Sequence, residues 1–236
     1  MCTLEKRGNV FKLTLLGHGD QHRLSAAVLD DIHSAVRSVR SDPSASRSVL
    51  ITTSRGKFFS NGYDFVAGRS DPSLFEVMDA KLRSLIADLI SLPMPTIAAV
   101  NGHASGAGLG LAMSHDYILM RRDRGFLYMS DLDIGVVCPA WFMPMIRLKI
   151  GSPAARRNVV LAAAKLTAAE AVEMGIVDSA HDSEAETVKA AVRLGEDLVR
   201  RGWDGHVYGR MRETLLREVL AAIGSYDTPP LVGSKL

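Results

Sequence analysis

The sequence predicts an α/β fold, a right-handed coil of strand-then-helix units followed by a mostly helical C-terminal third. Apolar β-type runs such as 48–53 alternate with segments of helical spacing such as 25–40 over the first half of the chain. Beyond Pro139 the apolar spacing becomes helical. No G-x-G-x-x-G follows the first strand and no G-x-x-x-x-G-K-S/T occurs, which argues against nucleotide-binding α/β folds.

Each element is predicted from its own periodicity and boundary residues. Strands are expected at 10–16, 48–53, 95–100, 117–120 and 126–129. Helices are expected at 25–40, 74–92, 141–149, 152–162, 167–174, 184–201 and 207–223. Ser25 is a predicted N-cap, and Pro93 and Gly202 are predicted helix stops.

The composition excludes several classes of protein. The chain has 236 residues, of which 47% are hydrophobic and 23% charged, as in globular proteins with a sizeable core. A net charge of +2 without a dense basic block argues against nucleic-acid binding. Cys2 and Cys138 have no metal or redox spacing, so we expect both to be unpaired. We also expect neither a signal peptide nor a membrane span.

A glycine-rich turn follows the apolar run at 95–100. Gly106-Ala107-Gly108 leads into a predicted buried helix, so backbone N–H groups are exposed at a helix start. Asn61-Gly62-Tyr63 is a second loop with free backbone donors, in the turn-rich segment after the strand 48–53. Such donors can bind a phosphate or an oxygen that becomes negative during a reaction. The alternative for the glycine turn is close packing of a helix on a strand.

Two carboxylates follow the predicted strand at 126–129. On an extended segment Asp131 and Asp133 would point to the same side. A carboxylate beside two backbone N–H groups is what proton abstraction next to a thioester carbonyl requires. The alternative is that these residues cap the turn before Gly135. His103 and His115 flank the glycine turn without an evident acid partner, and we expect packing or capping roles for them.

The last three residues form a targeting signal. Ser234, Lys235 and Leu236 match the peroxisomal import tripeptide. The segment 227–233 before them is expected to be flexible, so that an import receptor can reach the tripeptide. The sequence therefore predicts that the protein is located in the peroxisomal matrix.

Four motifs in order carry a family resemblance that covers nearly the whole chain. They are Gly-Lys-Phe-Phe-Ser-Asn-Gly-Tyr-Asp at 56–64, the stretch 95–116, Tyr-Met-Ser-Asp-Leu-Asp-Ile-Gly at 128–135, and Ala-Ala-Glu-Ala-Val-Glu-Met-Gly-Ile-Val-Asp at 168–178. The chain resembles the crotonase, or enoyl-CoA hydratase/isomerase, superfamily. Within it the plant peroxisomal Δ3,Δ2-enoyl-CoA isomerases are most similar.

The resemblance implies a fold and an assembly. The expected fold is a crotonase-type spiral of ββα units over 1–180 with a helical C-terminal trimerisation region at 181–226 and a tail at 227–236. The implied assembly is a homotrimer or a dimer of trimers.

The resemblance also implies a site. The backbone amides of Tyr63 and Ala107 would form an oxyanion hole. The substrate would also contact Ser60, Gly62, Asp64, Phe65, Val66, Gly106 and Gly108. No metal and no separate cofactor are implied, since coenzyme A is part of the enoyl-CoA substrate. Trp141 and Met143 are expected in the core or in the acyl-pocket wall.

The carboxylates distinguish activities within the family. Hydratases have two glutamates, and the first position falls here on Gly110. The further acid of dienoyl-CoA isomerases would lie at 136–140, which has none. Asp131 at the second position implies a single-carboxylate shift of a 3-cis or 3-trans double bond to 2-trans, in β-oxidation. Asp133 is a rival base.

The same position departs from the family pattern. Related isomerases have Glu where this chain has Asp131, and one methylene less withdraws the carboxylate by roughly 1–1.5 Å. A displacement of about 1 Å can cost about a hundredfold in rate. Two alternatives therefore remain open: another acyl-CoA reaction, such as thioester hydrolysis or weak hydration, and a non-catalytic acyl-CoA-binding homologue.

Overall fold

A computed structural model describes residues 1–17, 19–65 and 73–225. The predicted site residue Val66, the predicted tail 227–236 and its tripeptide Ser234, Lys235 and Leu236 lie outside the described residues.

Among the described residues, the larger of two sheets has six strands in the order β1-β2-β3-β5-β7-β9. These strands are β1 (Cys2–Arg7), β2 (Val10–Leu15), β3 (Val49–Ser54), β5 (Thr96–Val100), β7 (Tyr117–Arg121) and β9 (Ser179–His181). β1 pairs antiparallel with β2, and every other pair is parallel. The apolar runs at 48–53 and 95–100 therefore lie in the centre of a parallel sheet, where both faces are covered.

A second, smaller sheet runs alongside. It contains β4 (Phe58–Ser60), β6 (His103–Ser105) and β8 (Leu127–Tyr128), all parallel. Each of its strands follows a strand of the large sheet along the chain and precedes a helix. This strand-strand-helix repeat confirms the predicted spiral of ββα units. β1, β4, β6 and β9 were not expected from the sequence.

Helices cover the sheets and form the C-terminal third. They are α1 (Ala26–Ser41), α2 (Ser73–Ile90), α3 (Ala107–Met113), α4 (Asp131–Ile134), α5 (Met143–Lys149), α6 (Pro153–Leu161), α7 (Ala168–Glu173), α8 (Glu184–Arg200), α9 (Gly205–Leu215) and α10 (Arg217–Ser225). Short 3₁₀ turns lie at Ala45–Arg47 and Ala140–Phe142. The single helix predicted at 207–223 is wrong: the chain breaks at Leu216, whose buried side chain packs in the core.

The core lies on both faces of the large sheet. Alternate strand residues such as Leu50 pack with the apolar stripes of α1 and α2, and the others, such as Val49, pack with α8. Gly195 lets α8 approach closely, since a Cβ there would lie 2.8 Å from a methyl of Val49. The predicted boundary at 180 falls within β9, and α8 beyond it packs on β3, β5 and β7. Within the described residues we find no helix of the length and apolarity needed to traverse a bilayer.

Candidate active site

The first candidate donor is the backbone amide of Tyr63. Leu24 donates its N–H to the carbonyl oxygen of Gly62 at 2.8 Å, and Asp64 donates its N–H to the carbonyl oxygen of Leu24 at 3.4 Å. Backbone groups along an extended segment point alternately to its two edges. The N–H of Tyr63 therefore points away from Leu24, and Tyr63 lines the pocket.

The second candidate donor is the backbone amide of Ala107. Gly106, with φ of +49°, is the N-cap of α3, and Ala107 is its first residue. The first N–H groups of a helix have no acceptor inside that helix. A Cβ built on Gly62 would lie 3.3 Å from the nitrogen of Ala107. The loop at 62–63 therefore packs against the start of α3, and both Tyr63 and Ala107 line the same pocket.

Close backbone packing holds these two loops in place. A Cβ at Gly108 would collide with the carbonyl oxygen of Ser60. The Ser60 hydroxyl donates to the carbonyl oxygen of His22 at 2.8 Å and accepts from the N–H of Gly62 at 3.3 Å. The close packing of a helix on a strand, one of the two alternatives for the glycine turn, is therefore present, and Ala107 of the same turn lines the pocket.

The predicted substrate-contact residues divide into two groups. Gly62, Phe65 and Gly106 line the pocket. Ser60, Asp64 and Gly108 lie outside its lining. Ser60 is fully buried beneath the loops, so its hydroxyl supports the site from behind.

Asp131 supplies the carboxylate in this pocket. It lies at the start of α4, separated from the end of β8 by two residues, and lines the same pocket as Tyr63 and Ala107. Its Oδ2 atom is buried without a hydrogen-bond partner among the described residues. Burial disfavours the charged form, so the pKa of the Asp131 carboxyl is raised above its usual value.

Asp133 does not share this environment, and the prediction of an extended segment at 131–133 is wrong. These residues form a helical turn, in which side chains two apart differ in direction by about 200°. Asp133 is exposed and lies outside the pocket lining. The rival base is therefore directed away from the two amides.

The rest of the pocket is largely apolar. Its apolar walls are Phe65, Phe75, Leu82, Met129, Ile134, Val136, Cys138, Pro139, Trp141 and Phe142, and its further polar residues are Asn61, Ser105 and Ser130. Trp141 is buried in the core, as one of its two predicted placements has it, and it also lines the pocket. Met143 packs against the core and lies outside the lining. Such walls suit an aliphatic acyl chain and keep water from the carboxylate.

Residues 5–208 match the family described as Enoyl-CoA hydratase/isomerase. The chain belongs to this family. A relative from Arabidopsis thaliana, named Enoyl-CoA delta isomerase 1, peroxisomal, is 67% identical over 241 residues, with 100% of both chains covered. Enoyl-CoA delta isomerase 2, peroxisomal, from the same plant, is 47% identical over 232 residues, with 95% of each chain covered.

Solved structures of the enoyl-CoA hydratase/isomerase family share the fold. A probable enoyl-CoA hydratase from Mycobacterium tuberculosis superposes with a TM-score of 0.85 at 19% identity, covering 95% of this chain and 92% of that one. An enoyl-CoA hydratase/isomerase family protein from Pseudomonas syringae gives a TM-score of 0.84 at 22% identity, covering 94% and 95%. At these identities the likeness concerns the fold alone.

One feature beside the pocket was not predicted from the sequence. Asp79 on α2 is fully buried, and its carboxylate accepts hydrogen bonds from the hydroxyl of Tyr63 and the indole N–H of Trp141. The available signal was a charged residue on the apolar face of α2, between Phe75 and Leu82. Phe75 and Leu82, which lie within the helix predicted at 74–92, both line the pocket.

The two histidines beside the glycine turn have structural roles, as predicted. The ring of His115 bonds the carbonyl oxygen of Leu111 at 2.9 Å and the hydroxyl of Thr52 at 2.8 Å, and burial lowers its pKa to about 4. The ring of His103 packs against the ring of Phe58 at 4.9 Å, and burial also lowers its pKa.

Neither cysteine is paired, and one of them, Cys138, lines the pocket. Cys2 and Cys138 are both free, as expected. Burial raises the pKa of the Cys138 thiol, with a contribution from the Asp131 charge, so the thiol stays protonated at neutral pH. In the part of the chain that the structure describes, no three His, Cys, Asp or Glu side chains are grouped to hold a metal ion.

Proposed function

We propose that this chain is an enoyl-CoA delta isomerase, which moves the double bond of a 3-cis- or 3-trans-enoyl-CoA to the 2-trans position. The observation that carries the proposal is the Asp131 carboxylate, whose Oδ2 atom is buried without a hydrogen-bond partner among the described residues, in the pocket that Tyr63 and Ala107 also line. The full-length relatives named enoyl-CoA delta isomerase support the same reaction.

The reaction requires one base and one pair of donors. The thioester oxygen accepts hydrogen bonds from the N–H groups of Tyr63 and Ala107. Asp131 removes a proton from carbon 2, and the electrons of that bond flow toward the thioester oxygen, giving an enolate. The protonated Asp131 then delivers the same proton to carbon 4, and the double bond comes to lie between carbons 2 and 3. No water, electron or group is gained or lost, so a single carboxylate suffices.

The raised pKa of Asp131 suits this double role. A base with a higher pKa removes a carbon-bound proton more readily, and its conjugate acid still returns the proton. The two amides act where charge develops, since they bind the enolate oxygen more strongly than the thioester carbonyl. The apolar walls keep water away from the enolate.

The relatives' names also fix the compartment. Both are named peroxisomal, and this chain acts in the peroxisome as well, in β-oxidation of unsaturated fatty acids. The import role of Ser234, Lys235 and Leu236 stays a prediction, as does recognition by an import receptor. We infer that no separate cofactor takes part, because the coenzyme A moiety belongs to the substrate.

We also propose that the protein is a homotrimer or a dimer of trimers. Val207, Met211 and Leu215 are spaced four residues apart on α9 and are 59%, 68% and 69% exposed. Spacing by four places them on one face of the helix. An apolar row of this kind on a surface helix supports contact between copies of the chain.

The proposal is tested with 3-hexenoyl-CoA, following the ultraviolet absorbance of the conjugated product. We expect wild-type turnover, and a loss of about 10²–10⁴-fold in Asp131→Asn, the usual contribution of a general base. Asp133→Asn is the matched control, with the same change on the exposed side of the same helical turn, and should keep wild-type activity. A wild type that is inactive, or an active Asp131→Asn, would disprove the assignment.

A second arm separates the alternatives. Thioester hydrolysis would release free coenzyme A, measured with a thiol reagent, and hydration would consume 2-hexenoyl-CoA. Either activity exceeding isomerisation would favour another acyl-CoA reaction. Tight acyl-CoA binding without turnover would favour the non-catalytic homologue.

The shorter carboxylate is tested by Asp131→Glu. Asp131 starts α4 inside the pocket, so the backbone itself carries the carboxylate to the site. A longer arm would advance the carboxylate by roughly 1–1.5 Å, which we expect to lower kcat by up to about a hundredfold. A higher kcat in Asp131→Glu would mean that the shorter side chain of Asp131 limits the rate of the natural enzyme.

A further inference from the structure

A fully buried carboxylate lies directly behind the pocket. Asp79 of α2 has no solvent exposure. Its Oδ1 atom accepts hydrogen bonds from the Tyr63 hydroxyl at 3.0 Å and from the Trp141 indole N–H at 2.8 Å. Two side chains that line the pocket are therefore attached to one oxygen atom.

These two partners belong to different parts of the site. Tyr63 carries one of the two oxyanion amides of the proposed function, and its ring meets the ring of Phe75 edge-on at 5.1 Å. Trp141 forms part of the acyl wall, and its ring meets that of Phe142 at 5.6 Å. Sixteen and 62 residues separate the two partners from Asp79 along the chain. The carboxylate thus connects the loop of Tyr63 with the segment of Trp141, two parts of the pocket that lie far apart along the chain.

An ion pair fixes the carboxylate in turn. Arg83, one helical turn along α2, donates its Nε–H to the other oxygen of Asp79 at 3.1 Å. The same guanidinium donates to the carbonyl oxygen of Ile223 at 3.1 Å, in the last described helix, α10. A chain of contacts therefore runs from α10 through Arg83 and Asp79 to Tyr63.

We propose that Asp79 is a positioning residue for the isomerisation, which aligns the Tyr63 amide with that of Ala107 by holding the Tyr63 hydroxyl. This inference rests on the proposed function. A buried ion pair adds little to stability compared with apolar packing of the same volume. What Asp79 provides, and an apolar residue would not, is a fixed direction for two side chains of the pocket.

The expected kinetic signature follows from the role of the amide. An oxyanion donor binds the enolate more strongly than the ground-state carbonyl, so loss of its alignment lowers kcat and leaves KM nearly unchanged. Misplacement by about 1 Å costs about a hundredfold. A purely structural role for Asp79 would lower thermal stability and the folded fraction, but not kcat per folded molecule.

The experiment uses the full chain and 3-hexenoyl-CoA. Asp79→Asn keeps the side-chain size but removes the charge. Its N–H₂ group would face either Arg83 or the two donors that contact Asp79, the Tyr63 hydroxyl and the Trp141 indole N–H. Tyr63→Phe removes only the hydroxyl. Asp88→Asn is the matched control: it removes a carboxylate from the same helix that pairs with His33 and Arg40, on the α1 side. Folded protein is quantified by thermal unfolding and circular dichroism.

We expect kcat to fall about 10–100-fold in Asp79→Asn and about tenfold in Tyr63→Phe, with little change in KM, and to stay unchanged in Asp88→Asn. The double variant should lose no more than Asp79→Asn alone, because both changes break the same contact. If Asp79→Asn does not fold, the kcat of Tyr63→Phe alone tests the proposed role of the contact between Asp79 and Tyr63. An active wild type with unaltered kcat in Tyr63→Phe and in any folded Asp79→Asn would overturn this inference alone. An inactive wild type would overturn the proposed function, and this inference with it.

Discussion

The ring of Phe142 occupies the space beside the Cα atom of Gly110. A Cβ built on Gly110 would lie 3.1 Å from Cε2 and 3.3 Å from Cζ of that ring. Both residues line the pocket that contains Asp131. The family resemblance implies that Gly110 occupies the position of the first hydratase glutamate, and the Phe142 ring fills the space that such a side chain would need.

We predict that Gly110→Glu alone gives no hydratase activity. The new side chain would have to displace Phe142, which is buried and packed against Trp141. Gly110→Glu combined with Phe142→Ala provides the missing room, and we expect hydration of 2-hexenoyl-CoA first in that double variant. The assay is the loss of ultraviolet absorbance of the conjugated thioester. Hydration by the single variant would show that space is not limiting.

A second prediction concerns Gly62, which has φ of +72°. Gly62→Ala would bring a methyl group to 2.9 Å from the carbonyl oxygen of Ser105 and 3.3 Å from the nitrogen of Ala107. The two loops must then separate, and we expect kcat to fall by about a hundredfold with a much smaller change in KM.

Gly175→Ala is the matched control for this variant. Gly175 has φ of +67°, but a Cβ there would meet nothing within 4 Å. Both alanines carry the left-handed backbone cost of roughly 1–2 kcal/mol, and thermal unfolding should show both losses. Equal kcat in the two variants would mean that the close approach at Gly62 does not matter for catalysis.

Two of the long elements were predicted well from the sequence. The helical spacing at 25–40 corresponds to α1, and the apolar run at 48–53 corresponds to β3, because each continues long enough to show its period. Gly62 and Gly108 lie where backbone segments approach closely, and Gly106 has a positive φ of +49°. β4 and β6 have only three residues each, too few to show an alternation, and their pairing depends on distant segments.

Two parts of the site could not be read from local patterns. A four-residue helix at 131–134 leaves no period, so the opposite directions of Asp131 and Asp133 became visible only in three dimensions. The contacts of Asp79 join residues far apart in the chain, and no spacing rule connects them.

The break at Leu216 could not be predicted either. It has no Gly or Pro to mark it, and the apolar spacing continues across it.

A third prediction concerns assembly through α9. Met211 is 68% exposed in the middle of the apolar row that includes Val207 and Leu215. Met211→Glu would place a charge in the proposed contact between copies, and we expect a shift from trimer or hexamer to monomer. Sedimentation velocity measures the change, and Glu213→Gln on the same helix serves as a control for altered surface charge. An unchanged trimer in Met211→Glu would place the contact elsewhere.

The last prediction links the catalytic carboxylate to stability. Because the pKa of Asp131 is raised in the folded protein, the folded state binds this proton more tightly than the unfolded state does. The stability that Asp131 contributes is therefore highest at low pH and is lost as pH rises through its folded pKa. Asp131→Asn removes this penalty, so the inactive variant should unfold at a higher temperature than wild type at neutral pH.

The difference in unfolding temperature between Asp131→Asn and wild type should shrink as pH falls, since the wild-type Asp131 carboxyl becomes neutral too. For a chain of this size 1 kcal/mol corresponds to about 2–4 °C, which calorimetry resolves. The kcat/KM of the wild type should follow the opposite course, falling as pH drops through the raised pKa of the base and level above it. Asp133→Asn, with its exposed carboxylate, should show neither effect. An Asp131→Asn variant less stable than wild type at neutral pH would mean that the carboxylate has a stabilising partner in the folded protein.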